Sequence, residues 1–169
     1  MNVLIKEEAL SQKVSEIGKL INDDYKNKNP ILVGVLKGAF IFLADLLREI
    51  EIPVEVDFLS ISSYNGKKSS GVVRLTNDLS LNIESRDVIL IEDIVDTGRT
   101  ISYIINNLKT RKPRSLVVCT LLNKKDDRIV EVSLTYIGFD VPSVFVVGYG
   151  LDYLNKYRNL KYIGVINGK

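Results

Sequence analysis

The chain has 169 residues, 46% apolar and 26% charged, with a net charge of +2. That length suits one domain, residues 1–169, whose core buries about 70% of the unfolded surface without disulfides or structural metal. The small net charge predicts neither a nucleic-acid footprint nor a polybasic membrane surface, and the absence of histidine excludes Ser-His-Asp and Cys-His catalysis and His-ligated zinc.

Lys6, Glu7 and Glu8 interrupt any signal-like start, and no apolar run approaches membrane-spanning length, so the expected location is the cytoplasm. Leu10, Val14, Ile17, Leu20 and Ile21 recur at helical spacing and predict a first amphipathic helix. After Pro30, Ile31–Val35 reads as a short buried strand, Lys37-Gly38 as a turn, and Ala39–Leu47 as a second helix. Val54–Ser60 alternates Val54, Val56 and Phe58 with Glu55 and Asp57, the period of a strand with one buried face. Residues 62–71 are polar and rich in Gly and Ser, with Asn65-Gly66 as a turn signal; a loop this long suits a lid. Val88–Ile91 is a continuous apolar strand, followed by a helix from about Thr100 to Leu108 and a buried strand Leu116–Leu122 that holds the lone Cys119. Short strands are expected around Ile137, Val144–Val147 and Tyr162–Ile166. Strand, helix and strand in alternation imply an α/β, doubly wound parallel sheet, with the N- and C-terminal pieces packed together beside it as a small hood.

The chemistry concentrates at Glu92-Asp93-Ile94-Val95-Asp96-Thr97-Gly98-Arg99-Thr100. In open parallel sheets ligands bind beyond the carboxyl ends of strands, where Glu92 and Asp93 are expected. Gly98 permits a tight turn and close approach of backbone to a ligand. The unpaired N–H groups of a helix start favour an anion, and Thr97 and Thr100 add hydroxyl donors, so a phosphate fits. Neither GxxxxGK[ST] nor GxGxxG occurs, which excludes those two nucleotide-binding loops. Two carboxylates beside a phosphate need hydroxyls or Mg²⁺ to offset repulsion, and a sugar phosphate carrying a metal-bound pyrophosphate supplies both. The competing reading is a solvated acidic loop with Asp96 as helix N-cap.

This stretch resembles the phosphoribosyl pyrophosphate motif of the type I phosphoribosyltransferases. Leu36-Lys37-Gly38-Ala39 resembles their pyrophosphate loop, and Ser63-Tyr64 the start of their mobile catalytic loop. Phe145 to Tyr153 and Tyr157-Arg158-Asn159-Leu160 are similar to the purine end of the hypoxanthine-guanine branch. The resemblance covers nearly the whole chain, with the motifs in order.

It implies a type I phosphoribosyltransferase-like sheet flanked by helices, and transfer of 5-phosphoribosyl from phosphoribosyl pyrophosphate to N9 of hypoxanthine or guanine. Asp96 is then the general base on N7. Thr97, Gly98, Arg99 and Thr100 hold the 5′-phosphate, and Glu92 and Asp93 face the ribose hydroxyls and Mg²⁺. Lys37, Gly38 and Arg158 meet pyrophosphate, with a non-proline cis peptide entering Lys37. Phe145 stacks on the base, the Val146 backbone reads its edge, and Asp152 lies beside it in a second Mg²⁺ site. Lys124 donates to the purine O6; an ammonium can only donate, which favours a 6-oxo over a 6-amino group. A homo-oligomer, dimer or tetramer, is also implied. A non-catalytic regulator of the same fold that binds the donor, and a xanthine-preferring relative, are the alternatives.

Overall fold

The computed structural model describes residues 1–63 and 73–166. In chain order the elements are β1 (Asn2–Ile5), α1 (Glu7–Asp24), β2 (Ile31–Leu36), α2 (Phe40–Glu49), β3 (Glu55–Ser63), β4 (Val73–Asn77), β5 (Asp87–Val95), α3 (Arg99–Lys109), β6 (Ser115–Asn123), a 3₁₀ turn (Lys125–Asp127), β7 (Tyr136–Asp140), β8 (Val146–Val147) and β9 (Ile163–Val165). A six-stranded sheet has the order β4-β3-β2-β5-β6-β7, parallel except for the antiparallel edge strand β4. Antiparallel β1, β9 and β8 form a second sheet, which is the expected hood of terminal segments.

The continuous apolar run in β5 is explained by cores on both faces of the sheet. Ile89 and Ile91 pack with α1 and α2, whereas Val88 and Leu90 pack with Ile101, Ile104 and Leu108 of α3. Adjacent strand residues point to opposite faces, so a strand covered twice must be apolar at every position. On α1 the buried stripe is Leu10, Val14, Ile17, Gly18 and Ile21. Leu20, expected within it, is 53% exposed, because it lies roughly 60° round the helix from Ile17 and on the far side from Ile21.

Two further expectations are corrected. The alternation in β3 does not separate polar from buried: Asp57 is buried and Phe58 is 37% exposed. The Asp57 carboxylate accepts the N–H groups of Ser80 and Leu81 and the Ser80 hydroxyl, which satisfies it inside the sheet. The strand expected over Val88–Ile91 runs on to Val95, paired with β6 as far as Asn123. The proposed lid falls mostly outside the described residues, and Tyr64 with it; Ser63 is the last residue of β3. No helix among the described residues is long and apolar enough to cross a membrane.

At the amino ends of the strands, Asp87 opens β5 and takes a two-pronged contact from Arg114, 3.2 Å from Nε and 2.7 Å from Nη2, with the Ser115 hydroxyl at 2.6 Å. Arg111 pairs with Asp78, so two of the cations in the stretch 111–114 are matched by carboxylates. The Arg114 hydrogen bond holds the buried Asp87 carboxyl below its ordinary value of 3.8. A depressed folded-state value stabilises the fold at all pH above 3.8 and ceases to do so as pH falls through the lower folded value. Arg114 is exposed, so solvent screens the pair and the contribution is modest. Urea unfolding should therefore show Asp87→Asn costing most at pH 6 and progressively less as pH falls below 3.8; an equal cost across that range would assign the effect to packing instead.

Candidate active site

The site forms where neighbouring strands part. β2 pairs with β5 only as far as Gly34 opposite Ile91, and the chain then turns away through a cis Leu36–Lys37 peptide bond. β5 continues alongside β6, so Glu92 and Asp93 lie within the strand and not in a solvated turn beyond it. Glu92 is 7% exposed, and its Oε2 is buried with no hydrogen-bond partner. Asp93 Oδ1 accepts the N–H of Ile94 at 2.8 Å. Its Oδ2 lies against Gly38, where a Cβ would sit 1.6 Å away, so only glycine fits that position of the loop.

Withdrawal from water raises the pKa of both carboxyls, and the Asp93 charge pushes Glu92 up further. The Arg158 charge opposes the rise at Asp93. Glu92, Asp93, Asp96, Thr97, Gly98 and Thr100 line one cavity of about 240 Å³. Asp96 is exposed, and its Oδ2 stands 3.7 Å from the ammonium of the nearly buried Lys124. The helix α3 starts at Gly98 with no side-chain cap, so Asp96 is not its N-cap. Thr97 Oγ1 accepts the N–H of Arg99 at 3.4 Å, while the Arg99 side chain is exposed and does not line the cavity.

The hood closes on this centre through backbone. Gly150 N–H donates to Arg158 O at 3.0 Å, and Arg158 Nη1 donates back to Gly150 O at 2.7 Å. The α-carbon of Gly150 packs on the carbonyl of Gly38, where a Cβ would be 2.1 Å from the oxygen. Tyr149 donates its hydroxyl to Asp45 of α2 at 2.6 Å. Arg158 Nη2 also pairs with Asp152 at 2.7 Å, and the other oxygen of Asp152 accepts the N–H of Asn155 at 2.8 Å. Phe145 is 53% exposed and meets Tyr153 edge to face at 5.6 Å; Val146 is buried in β8. Lys37 is exposed. Lys37, Lys124, Phe145, Val146, Asp152 and Arg158 do not line the acidic cavity itself.

Known proteins are similar to this chain over nearly its whole length. The phosphoribosyl transferase domain family matches residues 4–154. A hypoxanthine-guanine phosphoribosyltransferase of Streptococcus agalactiae is 48% identical over 97% of this chain and 92% of its own. The chain belongs to the hypoxanthine-guanine phosphoribosyltransferase family. A bifunctional protein TilS/HprT of Listeria monocytogenes is 50% identical over 97% of this chain, which spans only 26% of that relative's length. A crystal structure of a hypoxanthine-guanine phosphoribosyltransferase from Bacillus anthracis superposes with a TM-score of 0.94 at 41% identity, covering 98% of each chain.

Around the turn Asp96-Thr97-Gly98, sequence reasoning missed the residues that hold it from behind. Arg128 Nε donates to the carbonyl of Asp96 at 3.1 Å and Nη2 to Asn123 Oδ1 at 2.5 Å. The N–H groups of Ile129 and Val130 both donate to Thr97 O at 2.9 Å. With these carbonyls taken on one side, the trans peptide units turn the N–H groups of Thr97 and Gly98 to the other, while Arg99 N–H is held by Thr97 Oγ1. Nothing in local spacing says that Arg128 folds back by 32 residues. The close approach expected of Gly98 is likewise internal: its φ is +83°, and a Cβ would meet Val130 O at 2.1 Å. Gly98→Ala should therefore lose about 2 kcal/mol or more, from left-handed backbone and the carbonyl clash together. That is a fall of roughly 4–8 °C in Tm, and an unchanged melting curve would refute the clasp.

Proposed function

We propose that this chain, acting as one domain over residues 1–169, transfers 5-phosphoribosyl from phosphoribosyl pyrophosphate to N9 of hypoxanthine or guanine, a purine salvage reaction. The observation that carries this reading is the 3.7 Å approach of Lys124 to Asp96 at the mouth of the acidic cavity. A 6-oxopurine carries O6 and N7 on one edge. A donor-only ammonium beside a carboxylate complements that edge: Lys124 to O6, and Asp96 to the N7 proton.

The rest of the site supports the donor's placement. The N-terminus of α3, with Thr97, Gly98, Arg99 and Thr100, receives the 5′-phosphate. Glu92 and Asp93 face the ribose hydroxyls. Lys37, Gly38 and Arg158 receive pyrophosphate, Phe145 stacks on the base, and the Val146 backbone borders it. The buried, unpartnered Glu92 Oε2 and its acidic neighbour form an oxygen-only donor pair that fits Mg²⁺. Glu92 and Asp93, and Asp152 at a second place, would hold Mg²⁺, which would supply charge neutralisation for the leaving pyrophosphate. Among the described residues no three carboxylates converge, so these are separate placements. Asp152 and Arg158 hold one another without substrate. In this reading pyrophosphate draws Arg158 away and frees an oxygen of Asp152.

In the reaction N9 attacks C1′ as the bond to pyrophosphate breaks, through an oxocarbenium-like transition state. Asp96 takes the N7 proton, a contribution of about 10²–10⁴-fold. In this reading Ser63, at the end of β3, and Tyr64 serve to exclude water from the site. The enzyme is a cytoplasmic homo-oligomer, dimer or tetramer, with no nucleic-acid or membrane partner.

The test is nucleotide formation from the donor and Mg²⁺ with hypoxanthine, guanine, xanthine, adenine and uracil in parallel. Hypoxanthine and guanine should turn over, and adenine and uracil should not. Asp96→Asn should keep its melting temperature and lose roughly 10²–10⁴-fold in kcat. Donor binding with no turnover on any base would mark a regulator; turnover on xanthine above the others would mark the related specificity.

A further inference from the structure

We propose that Asp127 is a positioning residue for Lys124, holding the ammonium opposite the purine O6 while Asp96 changes charge. This deepens the reading above and rests on it. Lys124 has a side chain only 11% exposed, and its Nζ lies between two carboxylates, 3.7 Å from Asp96 Oδ2 and 3.8 Å from Asp127 Oδ2. The 3₁₀ turn Lys125–Asp127 brings residues 124 and 127 together, and Asp127 is itself fixed: its Oδ1 accepts the Ser143 hydroxyl at 2.5 Å. Ser143 stands two residues before Phe145. The chain from the ammonium through Asp127 and Ser143 therefore connects the group facing O6 to the segment that carries the base-stacking ring.

The two carboxylates differ in what happens to them. Asp96 is exposed and, as general base, gains a proton and loses its charge during the reaction. Its hold on Lys124 falls at that moment. A lysine ammonium is a point charge on a flexible four-carbon stem, so with no second partner it would be free to swing. Asp127 touches no reacting atom and keeps its charge throughout. It also competes with Asp96 for the ammonium beforehand, which keeps Lys124 from closing on the base that must accept the N7 proton. Asp127 thus governs capture of the purine, and the donor's phosphate and pyrophosphate contacts do not depend on it.

The experiment compares wild type, Asp127→Asn, Asp127→Glu and Ser143→Ala in the hypoxanthine reaction, each first checked for an unchanged melting temperature. Asp127→Asn should lower kcat/KM for hypoxanthine by about three- to tenfold, the range of one partly buried charge contact, with KM for the donor unchanged within about twofold. Asp127→Glu should recover part of the loss, and Ser143→Ala should shift the same constant by less. A purine kcat/KM unchanged in Asp127→Asn, or a donor KM that rises in step with the purine effect, overturns the proposal while leaving the function intact. A wild type silent on every 6-oxopurine overturns the function and the proposal together.

Discussion

Two neighbouring carboxylates withdrawn from water at the end of β5 are the constraint around which this molecule is arranged. Burial without a partner disfavours the charged form, and among the described residues Glu92 Oε2 has no hydrogen-bond partner. Several features follow from placing the pair there. β2 must part from β5 after Gly34 to open the space, while it stays paired with β3 as far as Leu36. Residue 38 must lack a side chain, because the Asp93 carboxylate occupies its position. The hood must then approach through glycine, since Gly150 packs directly on the Gly38 carbonyl. The core on both faces of β5 supplies the stability that this arrangement draws on.

The turn from Asp96 to Gly98 follows a second rule, that backbone polarity is directed by satisfying one side of it. Arg128, Ile129 and Val130 take the carbonyls of Asp96 and Thr97. A peptide unit whose carbonyl is fixed behind has its N–H fixed in front, so this clasp orients donors without touching a ligand. Preorganised donors of this kind need no rearrangement when charge arrives, which is where their advantage over mobile side chains lies.

Much of this was legible in the sequence, for definite physical reasons. The parallel sheet was legible because strands buried on both faces leave unbroken apolar runs, as in Ile31–Val35, Val88–Ile91 and Leu116–Leu122. The acidic motif was legible because carboxylates directly after such a run have no place in a core. What stayed hidden depends on contacts distant in sequence. In the edge strand β4 no residue from 74 to 77 is buried, and β1 pairs only with β9 at the far end of the chain. Asp57 looked like a solvent-facing residue until the N–H groups of Ser80 and Leu81 reached it. Glycine requirements were visible as glycines, but that Gly38 yields to Asp93 and Gly98 to Val130 is a fact of tertiary packing.

Arg158 shows how the two halves of the site are joined. Its guanidinium binds the Gly150 carbonyl and Asp152 in the hood, and its charge acts on Asp93 in the sheet. The same hood segment begins with Phe145 and is fastened to α2, the helix after Gly38, by Tyr149 and Asp45. Under the proposed roles, an anion arriving at Lys37-Gly38 would compete with Asp152 for this one cation, so anion binding there and the ion pair that holds Asp152 are linked. That linkage needs no moving domain, because a single guanidinium carries it.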